Sequence, residues 1–391
     1  MQESYDVENG LGALIKRISA LKAKADRPII VNIAGGSASG KSSIVSAQVM
    51  QAFRGESILI SMDDYLKGNA YLKAEKEKGR EINFDHPDHT DTPLLAEHVG
   101  MLRDSATIDK PIFSFKAQER VGTEKVVPSK IIIIEGIFAL HEQLVQLSDV
   151  KVFVDASAHG RFARRIARDL KRTAWTPSFI LEYTSTVVES TYRSNVASTM
   201  PAADIVILND YDPYKETLKS DTREIQLKFK ISESFKLPEI LSAQLVSQST
   251  QHDDYYMSGA ADLRKSDEII RVRSESGRKI FTYKGPRLGS DFIERSNITF
   301  EIDTKAEAGL TSLYGRKISS VIKERLVYKT GSGLELCIDR NVAKSEGGKV
   351  TELGNFLNAR VSIGSENLLR DLQKSFVVDS LTHVDESYYN M

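Results

Sequence analysis

The sequence predicts two folds in tandem: an α/β domain with a parallel sheet and helices on both faces over residues 1–212, and an antiparallel β domain over 213–391 closing with a helix. Three observations carry this. Gly35, Gly40, Lys41 and Ser42 stand in G-x-x-x-x-G-K-S spacing, after the apolar run 28–33 and ahead of a helix-compatible segment reaching about Phe53. The same half holds other short apolar runs, 131–134 above all, of the β-branched kind found in buried parallel strands. Beyond about Asp212 such runs give way to strict alternation of polar and apolar residues.

A length of 391 residues fits about two domains. Lysine plus arginine number 53 against 54 for aspartate plus glutamate, so net charge gives no support to a nucleic-acid or membrane-surface partner. Cys337 is the single cysteine, which excludes an intrachain disulfide or a cysteine-rich zinc site and suits a reducing compartment. Near the start Glu3, Asp6 and Glu8 stand where a leader peptide would be apolar, and the longest apolar stretch, 131–140, is interrupted by Glu135. The expectation is a soluble cytoplasmic protein without a transmembrane segment; a homo-oligomer is compatible with the sequence and not required by it.

Residues 11–25 carry Leu11, Leu14, Ile15, Ile18 and Leu21 at helical spacing and predict an amphipathic helix packed on the first strand. Next come Gly35, Gly36, Ser37, Ala38, Ser39, Gly40, Lys41, Ser42 and Ser43, a P-loop in its strand-to-helix context. Backbone N–H groups there wrap the phosphates of ATP, Lys41 reaches the β and γ phosphates, and the Ser42 hydroxyl takes Mg²⁺. A second strand, 57–62, ends in Asp63, Asp64 and Tyr65. Ligands of open α/β sheets sit beyond the carboxyl ends of strands, which makes Asp63 the candidate general base; the alternative is that one of the two aspartates caps the next helix. Residues 73–80 read as a solvated helix face. The run 83–91, NFDHPDHTD, has metal-ligand types, yet Pro87 intervenes and no helical ligand spacing fits, so a polar substrate loop is the better reading.

The run 131–134 closes on Glu135, placed to hold Mg²⁺ directly or through water, and 150–154 predicts another strand. In 160–173 Arg161, Arg165, Arg168 and Arg172 share one helix face, with Arg164 beside them and Phe162, Ile166 and Leu170 on the other side. Beside a P-loop this suggests a lid closing on phosphates; an RNA- or membrane-surface helix and a plain solvated face are the competing readings. Residues 203–208 predict the last strand of the sheet.

GGSASGKSS, SMDDY, NFDHPD, the spaced Pro111, Phe115 and Arg120, the helix RFARRIARD and the strand ADIVI come in the order found in the uridine kinase and phosphoribulokinase family, which residues 28–209 resemble. The resemblance implies a kinase in which Asp63 deprotonates the acceptor hydroxyl, Tyr65 and Asp85 line the acceptor pocket, Phe113, Gln118 and Arg120 are substrate-site residues, and Arg164, Arg168 and Arg172 belong to the lid. It also marks departures. Phe113 and Gln118 stand where uridine kinases place the tyrosine and histidine that read the base, and Ala174 replaces the second arginine of the lid. A pocket that has lost its hydrogen-bonding groups forfeits selectivity for that base.

In the second half Glu224, Gln226, Lys228 and Lys230 alternate with Ile225, Leu227 and Phe229. The pattern recurs at Arg271 and Arg273, at Thr299, Glu301 and Asp303, at Lys323 and Arg325, at Glu335, Cys337 and Asp339, and at Asn358 and Arg360. Alternation alone fits the outer faces of a sandwich or a closed barrel with a polar lumen. E-x-x-x-K at Glu224, Q-x-D-x-Y at Gln251, R-x-R at Arg271, T-x-K-G-P at Thr282 and K-x-R-x-x-Y at Lys323 resemble a CYTH domain, the triphosphate tunnel fold, across 222–364. That resemblance implies a closed antiparallel β-barrel whose Lys228, Arg271, Arg273, Lys284, Lys323 and Arg325 hold a polyphosphate, with Glu224, Glu301, Asp303 and Asp339 left to carry Mg²⁺ or Mn²⁺. Gln226, Asn358 and Arg360 occupy positions where the family has metal-binding glutamates. Residues 237–251 read as a mobile segment and 365–376 as a capped helix with an acidic stretch after it.

The domain order resembles plant fusions of a uridine-kinase-like domain with a CYTH domain, whose family function is phosphohydrolysis, notably of pyrophosphate. The leading expectation is Mg²⁺-dependent phosphoryl transfer from ATP to a small-molecule alcohol; phosphoanhydride hydrolysis and non-catalytic binding of nucleotide or polyphosphate are the alternatives.

Overall fold

The computed structural model of the chain describes residues 2–79, 83, 85–212, 216, 223–257, 263, 265–288, 292–362, 364–378, 381–388 and 390–391. Arg80 of the charged stretch, Phe84 of the polar loop and Thr222 lie outside the described residues. The chain divides into two compact units, residues 1–175 with 183–211 and residues 176–182 with 212–391.

The strands of the first unit are β1 (Glu3–Asp6), β2 (Ile29–Gly35), β3 (Ser57–Ser61), β4 (Ile108–Ser114), β5 (Glu119–Val126), β6 (Ile131–Glu135), β7 (Val150–Asp155) and β8 (Ile205–Leu208). Six of them form one parallel sheet in the order β1-β8-β7-β2-β6-β3, while β4 and β5 make a separate antiparallel hairpin. Every residue of β2 and β6 is buried, which explains their near-continuous apolar character; inside β2 the exception is Asn32, whose amide donates to the Ala139 and Leu144 carbonyls, and β6 ends in Glu135. Alternate side chains feed two cores: Ile30, Ile132, Ile134 and Phe153 pack on one face of the sheet, and Val31, Ile33, Ile131 and Ile133 pack with Leu14 and Ile18 on the other. Helix α1 (Val7–Lys22) supplies Leu14 and Ile18. It begins ahead of the predicted 11–25 because Asp6 caps it, accepting from the Asn9 N–H at 2.9 Å. Strand β1 gives no apolar signal and exists through its parallel ladder with β8.

The second unit is built from β9 (Arg223–Ile231), β10 (Gln244–Met257), β11 (Ile269–Glu275), β12 (Arg278–Lys284), β13 (Ile293–Ile302), β14 (Arg316–Lys329), β15 (Glu335–Glu346), β16 (Lys349–Val361) and the two-residue β17 (Thr382–His383). The order is β13-β12-β11-β10-β14-β15-β16-β9, and β9 also pairs with β13, closing eight antiparallel strands into a barrel. The sandwich alternative is thereby excluded. Outward-facing Ile225, Leu227, Phe229, Leu336, Ile338 and Leu357 form an apolar layer joined by Leu369 and Leu372 of helix Glu366–Val378. The polar partners of the alternation therefore point inward. Residues 237–251, predicted mobile, instead contain a 3₁₀ turn at Glu239–Leu241 and the start of β10, whose ladder with β14 begins at Gln244 and Lys329. The first five side chains of β10 are all exposed, Leu245 and Val246 among them, so no alternation of buried and exposed residues marked this part of the strand. No helix among the described residues is long and apolar enough to cross a membrane.

Candidate functional site

The loop after β2 is held open for phosphate by backbone geometry. Gly35 has φ +149° and a Cβ there would meet the Val154 carbonyl oxygen at 2.3 Å; Gly40 has φ +92° and would meet Asn209 Nδ2 at 2.2 Å. The loop is fastened from outside by Asn209 Nδ2, which donates to the Ser39 carbonyl at 2.6 Å, and by Arg165, which donates to Ser37 Oγ at 2.8 Å. Lys41 stands at the head of the turn Lys41–Ser46, which runs on into helix α2 (Ala47–Ala52), and its ammonium lies 3.4 Å from the Gly36 carbonyl. Ser42 donates to Glu135 Oε1 at 2.7 Å, with Glu135 buried at the end of β6. A hydroxyl and a carboxylate converging there are hard oxygen donors suited to Mg²⁺, and a set this small suits an ion that keeps waters and substrate phosphates as its other ligands. Among the described residues no group of three metal-ligating side chains gathers anywhere.

Strand β3 ends in a 3₁₀ turn, Met62–Tyr65, whose cap is Ser61 rather than either aspartate. Asp64 is engaged by Lys110 at 2.5 Å. Asp63 is exposed to the cleft, yet the surrounding protein strips bulk water from its carboxyl and raises its pKa; Glu135 and Asp85 push the same way, Lys41 and Arg168 oppose. A carboxylate with a raised pKa beside Lys41 has the character of a general base.

Other predicted residues fall elsewhere. Tyr65, assigned to the acceptor pocket, is fully buried in the core with its hydroxyl 2.9 Å from His98 Nδ1. Arg120 donates to the Tyr65 and Leu66 carbonyls and to Asp91, fastening the hairpin to the base-bearing turn instead of facing an acceptor. Asp85 lies 3.8 Å from Arg165, Phe113 packs edge-on against Phe115, and Gln118 adopts a left-handed backbone at the hairpin turn. The single cationic face predicted for 160–173 is not what helix α3 (Ala158–Arg172) presents. Arg161 and Arg165 are buried: the first donates to Glu189 at 2.6 Å and lies over the Tyr192 ring at 3.6 Å, the second pairs with Asp169 at 3.1 Å. Arg164 donates to the Asn209 and Asp210 carbonyls. Arg168 and Arg172 remain as lid candidates, Arg168 with its charge felt at Asp63 and Arg172 over the Phe115 ring at 6.0 Å.

The barrel lumen gathers the predicted cations on one cavity: Lys228, Arg271, Lys284, Lys323 and Arg325, joined by Arg360 and by Arg295, which sequence reasoning missed. Arg273 stands behind them on Asp253, with bonds of 2.6 and 2.9 Å. Asp253, quoted in the sequence only as part of a motif, is fully buried and also receives Lys323 at 2.7 Å. Asp339 takes a two-pronged pair from Arg325 at 2.6 Å, and Glu224 takes Lys284 at 2.8 Å and Arg360 at 3.2 Å. Each of these carboxylates is thus neutralised by protein cations. Glu301 and Asp303 do not reach the lumen: Glu301 is exposed beside Arg278 at 4.0 Å, and Asp303 caps helix Thr304–Tyr314. A resident divalent metal does not fit this set of groups.

Burial draws the Lys228 and Lys323 ammonium groups down to about 7 and that of Lys284 to about 8, with neighbouring cations adding to burial, while Asp339, Asp253 and Glu224 oppose. Between these values and an ordinary lysine pKa of about 10.4 the unfolded chain holds more protons than the native one, so these three groups make stability rise with pH in that window. A bound polyanion favours the charged forms. Tripolyphosphate binding near pH 8 is therefore expected to take up protons and to weaken as pH rises toward about 9. Titration calorimetry in buffers of different ionisation enthalpy reads this directly, and heats independent of buffer contradict it.

Residues 30–211 match the family described as Phosphoribulokinase / Uridine kinase family, and residues 222–387 match the CYTH domain. A uridine kinase of Bacillus pumilus is 38% identical over 184 residues, 46% of this chain and 86% of that protein. Uridine-cytidine kinase C of Dictyostelium discoideum is 25% identical over 389 residues, 96% of this chain and 83% of that protein. Inorganic pyrophosphatase TTM1 of Arabidopsis thaliana is 29% identical over 336 residues, 83% of this chain and 49% of that protein. The chain thus spans about half the length of that Arabidopsis relative and of a second, inorganic pyrophosphatase TTM2.

Proposed function

We propose that this chain, which belongs to the phosphoribulokinase and uridine kinase family over residues 30–211 and carries a CYTH domain over 222–387, transfers the γ-phosphoryl group of ATP to a hydroxyl acceptor and binds polyphosphate in its barrel without a resident metal. The observation that carries the transfer reading is Asp63, left unpaired by Lys110 and Ser61 at the end of β3, with its pKa raised beside Lys41 and Glu135. Asp63 takes the acceptor proton as the acceptor oxygen bonds to the γ phosphorus and the β–γ anhydride bond breaks, releasing ADP, with Lys41 drawing charge from the β and γ phosphates; Ser42 and Glu135 would hold Mg²⁺, which would supply charge neutralisation of the phosphates. Arg168 and Arg172 close over the phosphates. The metal-free reading of the barrel rests on Arg360, whose guanidinium takes Glu224 and so supplies a fixed positive charge in the lumen.

A second reading, hydrolysis of pyrophosphate, is favoured by the two Arabidopsis relatives with that name, and Asp63 would then activate water in place of an alcohol. Incubation with ATP and Mg²⁺ plus uridine, pyrophosphate or water alone, with the products identified by ³¹P resonance, separates the two. Phe113 and Gln118 offer uracil no equivalent of the family's tyrosine and histidine, so uridine kcat/KM is expected below about 10⁴ M⁻¹s⁻¹. Lys41→Ala is expected to lower turnover with any acceptor by about a hundredfold or more, since it removes a charge aimed at the transition state. Unchanged turnover in that variant discards the site.

A further inference from the structure

The cationic cavity of the barrel is already partly filled by the chain itself. Strand β17 adds to β9 through Thr382 opposite Lys230 and His383 opposite Phe229, the Val384 N–H donates to the Lys228 carbonyl, and the Lys228 ammonium donates to the Glu386 carbonyl. This leads Tyr388 into the lumen, where it is 6% exposed. Its hydroxyl donates to Asp339 at 2.6 Å and accepts from Asn358 at 3.1 Å, its ring packs on Phe356, and Lys228 and Lys323 lie over that ring at 4.5 and 4.9 Å. Asp385 is the one carboxylate among the described residues that line the cavity. The space left amounts to about 60 Å³, room for a few waters and far too little for a phosphate chain.

We propose that the segment 382–388 is an intramolecular occupant of the tunnel that a polyphosphate must displace, so that the barrel alternates between a self-filled and an anion-filled state. This rests on the reading of the lumen as a polyphosphate site. The physical reason is an exchange of partners. In the self-filled state Lys228 has a neutral peptide carbonyl and an aromatic face, and Lys323, already paired with Asp253, shares that face; the carbonyl and the ring are weaker partners than a phosphate oxygen bearing charge, so the exchange gains most at Lys228. Among the described residues the segment is held by the two-residue ladder, the Val384 N–H bond, the Lys228 and Arg287 bonds to the Glu386 and Asp385 carbonyls, the Tyr388 hydroxyl bonds and apolar contact of Val384, Tyr388 and, beyond it, Met391 with the cluster around Phe356. In nearly all of these the segment offers a neutral group, which a polyanion that contacts several lumen cations at once replaces with charged bonds. Affinity in the full chain is reduced by the fraction of molecules whose lumen is open.

The test uses the full chain and inorganic tripolyphosphate in excess EDTA, with two readouts. Hydrogen exchange of the peptide covering 381–391 is expected to accelerate when tripolyphosphate is added, while β14 and β15 become more protected. Tyr388→Ala is expected to tighten tripolyphosphate binding by about tenfold or more, and Tyr388→Phe, which keeps the ring and loses the Asp339 bond, by less. Binding with no change, or a gain of protection, in the 381–391 peptide overturns the displacement while leaving the polyphosphate site standing. Equal affinity of wild type and Tyr388→Ala does the same. No binding by wild type or by a folded Tyr388→Ala overturns the polyphosphate reading and the displacement with it. The exchange experiment on the wild-type chain decides the matter if Tyr388→Ala does not fold.

Discussion

Asp63→Asn is expected to lower the turnover number for phosphoryl transfer by about 10²–10⁴-fold while ATP affinity stays within about twofold of wild type. The amide preserves the shape of the turn, whose cap is Ser61 and whose anchor to the hairpin is the pair Asp64 and Lys110, so the loss is chemical rather than structural. The pH profile adds a check that a structural role would not produce. A base whose pKa is raised in the folded cleft must be deprotonated to act, so activity is present above that pKa and falls away below it. The acid limb of kcat should therefore sit above the range of an ordinary aspartate and be missing from whatever activity the amide variant keeps. Retention of more than about a tenth of wild-type turnover assigns the proton to another group.

Asp253→Ala is expected to destabilise the barrel by about 3–5 kcal/mol, because Arg273, Lys323 and, at 3.6 Å, Arg271 would face one another without a counter-charge in a site with no exposed surface. The penalty comes from the stranded cations more than from the lost attraction. Urea unfolding of the full chain, followed by hydrogen exchange on β11 and β14, separates the barrel's transition from that of the other unit, since a chain of two units need not unfold in one step. Tripolyphosphate should return part of the loss by supplying the missing negative charge. A change within about 0.5 kcal/mol would mean that the lumen lysines are already neutral or hydrated enough to dispense with Asp253.

The two halves were legible to different depths. The P-loop is a local pattern whose backbone demands are written in consecutive residues, and the apolar runs of β2 and β6 announce strands buried on both faces. The lumen cations were legible because β-strand alternation assigns every second residue to one side, as the inward course of Lys228, Arg271, Lys323 and Arg325 shows. The same rule failed at Glu301 and Asp303. Alternation continues there in sequence, but the second residue caps a helix and the first is exposed beside Arg278, away from the cavity. On α3 the periodicity placed four arginines together and could not say which would be buried, because that depends on Glu189 and Tyr192, far along the chain. Tyr388 carried no signal at all: nothing in the polar run around it indicates an inward course, which is set by the pairing of β17 with β9.

The closure of the barrel through β9 also constrains the order in which this half can be made. Strand β9 is the earliest of the eight in the chain, yet its ladders are with β13 and β16, whose residues follow well after it. On a ribosome β9 must wait, with Lys228 still hydrated, until β16 has emerged, and only then can the ring join and the lumen cations lose their water. Such long-range closure predicts a slow final step in refolding. Because that step brings like charges together, a polyanion present during synthesis would act as a template for it.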